Sequence, residues 1–222
     1  FGASAAGPAP IVLLDDATQA DATRLAPDAR PAAAVRRLPS DLMRLMYTSG
    51  TTDRPKGVML TYENFYWKSA DHVLALGLNR DTRLLVTGPL YHVGALDLPG
   101  IAVLWQGGML SIQREFDAAK CLAAIETDRL NAAWLAPVMT TSLLTCADRE
   151  RYDVSSLRWA IGGGEKTPEA RIRAFSQYFT NARYIDAYGL TETVGGDTFM
   201  EPGLEIEKIG STGRPVAHVE IE

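Results

Sequence analysis

The alternation of short apolar runs with amphipathic stretches constrains this chain more than any other feature. "TRLLVTGPLYH", "MLSIQ", "NAAWLAP", "LRWAIGGG" and "ARYIDAYGLTE" each read as a strand, most of them running into a glycine-rich or polar loop. Helical patterns separate them. "DAAKCLAAIETDRL" is capped by Asp117, "PVMTTSLLTCA" opens on Pro137, and "TPEARIRAFSQYF" has Thr167 as N-cap and Pro168 in its first turn. "PGIAVLWQGG" is a helix stopped by Gly107 and Gly108. Upstream, "DLMRLMYTS" reads as a strand. "TYENFYWKSADHVLALGL" reads as a helix with Thr61 as N-cap and Phe65, Ala70, Val73 and Leu76 near one face. Strands alternating with helices predict an α/β fold, a largely parallel sheet covered by helices. From "KIGSTGRPV" onward the pattern shifts to short alternating strands.

Three parts follow. Residues 1–40 hold a strand, "PIVLLDD" at 10–16, and a Pro- and Ala-rich loop or linker. Residues 41–205 are the α/β core. Residues 206–222 begin a small β subdomain, and both ends of the chain read as cut from a longer protein.

A chain of 222 residues is long enough to bury a substantial core. The net charge is −5 and no run of Lys or Arg occurs, which argues against nucleic acid and anionic membrane as partners. No apolar run has the length to cross a membrane, and no signal peptide opens the chain. Cys121 and Cys146 read as free core thiols of a reducing compartment, so the expected location is cytoplasmic. Trp67, Trp105, Trp134 and Trp159 read as core, and His72 and His218 as structural.

Parallel sheets bind ligands beyond the carboxyl ends of their strands. The chemically rich loops at 48–57, 162–166 and 186–192 all follow strands, so they converge on one composite site. The first is "YTSGTTDRPKG". Thr48, Ser49, Thr51 and Thr52 offer hydroxyls, Gly50 and Gly57 free the backbone to face a ligand, and Lys56 adds a cation. This is a loop for an anion with many oxygens. It is not a Walker A loop, because Pro55 precedes the lysine and Gly57 follows it.

That stretch resembles the signature loop of the adenylate-forming enzymes: acyl-CoA synthetases, nonribosomal peptide adenylation domains and luciferases. It departs from the family pattern at Asp53, where those enzymes usually carry glycine. "PLYH" (89–92) is similar to the family's acyl-pocket segment, "IGGGEKTPE" (161–169) to the segment beside the adenine, and "YGLTE" (188–192) to its Tyr-Gly-x-Thr-Glu motif. "GSTGRP" (210–215) resembles the stretch just before the family's ribose-binding aspartate. The resemblance covers the chain from the first loop to its end.

The resemblance implies a two-step ligase, an acyl-CoA synthetase when whole. A carboxylate attacks the α-phosphate of ATP, and a thiol, usually that of coenzyme A, then takes the acyl group. It implies catalytic roles for Thr48, Lys56, His92, Thr191 and Glu192, with Glu192 on Mg²⁺. Nucleotide contacts would come from Ser49, Gly50, Thr51, Thr52, Gly57, Gly164, Glu165, Lys166, Asp186, Ala187, Tyr188 and Gly189. The acyl pocket would use His92, Gly94, Ala95, Gly163 and Phe199, whose small members leave room for a fatty or alicyclic acid. A C-terminal lid domain of the same protein, carrying a catalytic lysine, would complete the enzyme, and the chain alone would be inactive. Two alternatives remain. One is an adenylation domain for an amino or aryl acid, with Asp97 the sole candidate to hold an amine. The other is a binding pseudoenzyme weakened by Asp53, whose carboxylate is expected to face solvent.

Overall fold

The computed structural model describes residues 35–48 and 54–221. The strand read at 10–16, residues 17–34 of the linker, and Ser49, Gly50, Thr51, Thr52 and Asp53 lie outside the described residues.

The chain first forms an antiparallel hairpin of β1 (Leu42–Thr48) and β2 (Lys56–Thr61). Helix α1 (Tyr62–Leu76) follows directly. Its start is a reciprocal capping box: the Thr61 hydroxyl accepts from the Asn64 N–H, and the Asn64 side chain accepts from the Thr61 N–H. Its end is Gly77 at φ 65, whose N–H returns to the Val73 carbonyl.

The remaining strands make one sheet: β3 (Arg83–Val86), β4 (Met109–Ile112), β5 (Ala132–Trp134), β6 (Trp159–Gly163), β7 (Arg183–Tyr188), β8 (Thr198–Phe199) and β9 (Arg214–Pro215). The order is β4-β3-β5-β6-β7-β8-β9, parallel from β4 to β7 and antiparallel for the last two. Helices α2 (Val93–Leu96) and α3 (Gly100–Trp105) connect β3 to β4. Helix α4 (Ala118–Thr127) leads back past β3 to β5, and α5 (Pro137–Leu144) and α6 (Glu169–Tyr178) continue outward in the same direction. Right-handed crossovers that reverse direction once must place helices on opposite faces. The packing agrees. Leu85, Ala133, Ala160 and Tyr184 face a core shared with α4, α5 and α6, while Leu84, Val86 and Ala132 face α1 and α3. The period of two along each strand separates these sets.

Several expectations are corrected. Thr167 does not cap α6. Its side chain is fully buried and its hydroxyl lies 3.3 Å from both the Tyr184 hydroxyl and Asp186, so Pro168 stands at the N-cap with no side-chain hydrogen bond. Trp67 and Trp105 are not core. They are 46% and 49% exposed and join Tyr66 in an edge-to-face aromatic cluster on the surface. Among the described residues after 206, only Arg214–Pro215 is a strand. It pairs with β8 at the edge of the main sheet, because glycines at positive φ (Gly210 and Gly213) turn the backbone there. Cys121 is buried and Cys146 half-buried, both as free thiols. Among the described residues no helix is long and apolar enough to cross a membrane.

Candidate active site

The order of the parallel strands reverses between β3 and β5, and a crevice opens beyond the carboxyl ends there, as parallel topology requires. His92, Gly94, Trp134, Gly163, Gly164, Ala187, Tyr188 and Gly189 are among its walls, and its volume is about 100 Å³. A second cavity, about 400 Å³, lies beside it beyond β6 and β7. It is lined by Gly164, Glu165, Lys166, Asp186, Ala187, Tyr188, Gly189, Leu190, Gly210 and Thr212. The two spaces share Gly164, Ala187, Tyr188 and Gly189. Segments distant in sequence, 92–94, 163–166 and 186–190, are thus brought together.

Each wall has a local cause. Gly164 has φ +86 and open space where a side chain would be, so the backbone turns out of β6 and leaves the cavity clear. Gly163 is needed because a Cβ there would lie 2.5 Å from the Ala187 carbonyl on β7. Tyr188 is half exposed at the cavity edge and offers a ring face. Asp186 is buried. Desolvation pushes its carboxyl up to about 6, against the opposing hydrogen bonds from Thr167 and the Ala187 N–H.

His92 caps α2. Its Nδ1 accepts from the Gly94 N–H at 3.0 Å. That bond fixes Nδ1 as the acceptor, so in the neutral ring the proton sits on Nε2. His92 is therefore both the loop cap and a crevice wall.

The residues expected at an acyl pocket divide. His92, Gly94 and Gly163 line the crevice, whereas Ala95 and Phe199 lie behind it in the core. The Phe199 ring packs on His72, 5.7 Å between centroids. The small residues do not mark empty space. A Cβ on Gly94 would lie 2.5 Å from the Trp134 indole, so that glycine is small because the tryptophan fills its place. Trp134, read from the sequence as core, packs half-buried against the core and also forms part of the crevice wall. Its position at the carboxyl end of a parallel strand is the signal that marks it.

The hairpin register sets Thr48 opposite Lys56, so the two ends of the 49–53 loop start side by side. Lys56 and Gly57 are exposed, and β2 packs against the 3₁₀ turn Thr191–Thr193. Leu60, Phe65 and Val194 bury together at that junction. Thr191 is half-buried. Glu192 is exposed and forms no ion pair among the described residues. Thr48, Lys56, Thr191 and Glu192 do not line either space; they sit on the neighbouring hairpin and turn. Among the described residues no group of three or more His, Cys, Asp or Glu side chains could cage a metal. A single free carboxylate suits Mg²⁺, which is commonly bound by one or two carboxylates together with substrate phosphates and water.

Comparison with known proteins agrees with this fold. Residues 4–222 match the family model "AMP-binding enzyme". The chain belongs to that family. It is 34% identical to the feruloyl-CoA synthase of an Amycolatopsis species over 176 residues, which is 79% of this chain and 35% of that enzyme. The crystal structure of the N-terminal domain of FACL13 from Mycobacterium tuberculosis superposes with a TM-score of 0.79 at 28% identity, covering 91% of this chain and 49% of that one. The o-succinylbenzoate coenzyme A synthetase of Bacillus subtilis, solved in complex with ATP and magnesium ion, gives 0.69 at 29% identity, covering 78% of this chain and 35% of that one. The mostly parallel sheet with helices on both faces is the fold of these ligase domains. The chain spans about a third of the length of the curated relative it matches.

Proposed function

We propose that the protein to which this chain belongs is an ATP-dependent acid–thiol ligase, and that this chain supplies its nucleotide cavity and one wall of its acyl crevice. One observation carries the reading: the two cavities share Gly164, Ala187, Tyr188 and Gly189. A nucleotide in the larger space and a carboxylate in the smaller would meet across those residues. The first step joins two anions, so positioning and charge neutralisation supply most of its catalysis.

In this reading the Tyr188 ring and the Gly164–Lys166 backbone flank the adenine, and Asp186 accepts from its amino group. The 48–57 loop with Lys56 holds the β- and γ-phosphates, and Thr191 reaches the α-phosphate. Glu192 holds Mg²⁺, which neutralises phosphate charge when bound. The His92 Nε2–H donates to the acid and orients its carboxylate. A carboxylate oxygen attacks the α-phosphorus and pyrophosphate leaves; the coenzyme A thiol then displaces AMP from the acyl carbon.

The acid is better taken as a small planar aryl acid than as a fatty or alicyclic one. The Trp134 indole narrows the crevice, and the glycines there accommodate packing. Among the relatives above, two are named for aryl acids. An amino acid is disfavoured because Asp97 is engaged by Arg44 at 2.7 Å and does not line the crevice. The test is pyrophosphate release by the full-length protein with Mg-ATP and a panel of aryl, fatty and amino acids. Acid-dependent release, strongest with aryl acids, supports the reading. Release with none of the panel refutes it, and release with fatty acids alone refutes the aryl assignment.

A further inference from the structure

We propose that Lys68 is a positioning residue for the Thr191–Glu192 turn, acting through Asp197 from outside both cavities; the inference rests on the adenylating reading above. Lys68 lies on the buried face of α1 and Asp197 just before β8, and they are 7% and 3% exposed. The Lys68 Nζ donates to Asp197 Oδ1 at 2.7 Å. The other carboxylate oxygen accepts from the Thr193 hydroxyl, whose oxygen in turn accepts from the Leu190 N–H at 3.2 Å. The backbone closes the same loop. The Asp197 N–H donates to the Tyr188 carbonyl at 2.7 Å, and the Gly195 N–H to the Leu190 carbonyl at 2.8 Å.

The loop so closed carries Thr191 and Glu192, and its backbone is not in a preferred conformation. Val194 has φ 66, a left-handed angle that a β-branched residue rarely adopts. Such a residue persists only where its surroundings over-determine it. Here those surroundings are the Leu60–Phe65 contact on one side and the Lys68–Asp197 pair on the other. His72 packs directly beneath, where a Cβ on Gly196 would lie 2.4 Å from its Nε2. The ring is fully buried beside the Gly195 and Gly196 backbone, and burial with the nearby Lys68 charge pushes its imidazole down to about 4, so it is no second cation for Asp197 at neutral pH. Without Lys68 the Asp197 carboxylate is buried and unpaired. It must then take a proton or carry its loop toward water, and Thr191 and Glu192 move with that loop. Lys68 touches neither cavity and is no catalytic residue.

The test compares wild type, Lys68→Met, Thr193→Val and Thr193→Ser in the full-length protein. Two quantities are read: acid-dependent pyrophosphate release, and amide hydrogen exchange of the 188–197 peptide. Lys68→Met is expected to lower kcat about tenfold or more with the KM for the acid little changed. Its 188–197 amides should exchange about tenfold faster or more, with α5 and α6 unaffected. Thr193→Val should do the same in milder form and Thr193→Ser should restore both quantities. Wild-type kcat and exchange in Lys68→Met overturn the proposal, and so does faster exchange spread evenly over the whole sheet. If wild type releases no pyrophosphate, the functional reading fails and the exchange comparison alone decides the positioning. If Lys68→Met does not fold, Thr193→Val decides it, since that variant keeps both charges.

Discussion

Arg44 and Asp97 join the β1–β2 hairpin to the segment that follows β3. The guanidinium of Arg44 on β1 meets Asp97, at the end of α2, at 2.7 Å, and also lies 5.0 Å over the Phe65 ring. The Asp97 side chain is fully buried and Oδ1 has no partner. Burial pushes its carboxyl up to about 6, against the pull of Arg44. Removing one partner strands the other, so Arg44→Met should cost about 3 kcal/mol, while the double change Arg44→Met with Asp97→Leu should cost far less. Chemical denaturation of both variants checks this; equal losses would show that the pair is not the source.

His72 should govern part of the acid stability. Burial first, and the Lys68 charge second, push its imidazole down to about 4 from 6.5. A base with a lowered folded pKa contributes stability that is fully present above its unfolded pKa. That stability is lost as pH falls, here between 6.5 and about 4. Asp97 and Asp186, raised to about 6, act in the opposite sense. Their contribution is present below the ordinary aspartate value of 3.8 and lost as pH rises through about 6. The two effects overlap, so the comparison must be differential. Relative to wild type, His72→Leu should flatten the fall by up to about 1.4 kcal/mol per pH unit in that window. Parallel stability curves for the two proteins would contradict it.

Gly162 and Gly164 should respond oppositely to alanine. At Gly162 a Cβ would sit against the Tyr184 ring and hydroxyl, so Gly162→Ala must displace a buried aromatic and should cost about 2 kcal/mol or more. At Gly164 nothing lies within 4 Å, and only the positive φ opposes the change, a penalty of about 1 kcal/mol. Thermal midpoints order the two. Nucleotide affinity should reverse the order, because Gly164 lines the larger cavity and Gly162 does not.

Trp134 should set the size of the acid. Trp134→Ala opens the crevice, and kcat/KM for bulkier acids should rise relative to the preferred one by about tenfold or more, the worth of a filled or emptied apolar contact. An unchanged preference would place the acyl group elsewhere.

The fold was legible because its signals are local. Apolar runs between turn residues gave the parallel strands, and Thr61, Asp117 and Pro137 open their helices as capping chemistry demands. The segments 162–166 and 186–192 read as loops after strands, and the strands in fact run on to Gly163 and Tyr188, so each segment begins within its strand and leaves it at the cavity. What escaped was set by tertiary contacts. The stripe of α1 reads as Phe65, Ala70, Val73 and Leu76, yet its most buried face also carries Lys68, Asp71 and His72, each fully enclosed. Their partners are far along the chain: Asp197 for Lys68 and His218, 2.7 Å away, for Asp71. No periodicity reveals a buried polar group whose partner arrives from such a distance. Thr167 failed as a cap for a related reason, since its hydroxyl is drawn to Asp186 and Tyr184 on the neighbouring strand. Gly94 suggested room where the Trp134 indole stands.

The most direct test of the central claim follows an oxygen atom. The full-length protein is given Mg-ATP, coenzyme A and an aryl acid whose carboxylate carries heavy oxygen, and the products are weighed by mass spectrometry. If the carboxylate attacks the α-phosphorus in the joined cavities, the acyl–oxygen bond breaks in the second step and the label appears in AMP. Label in inorganic phosphate or pyrophosphate, or AMP formed without label, would contradict the account.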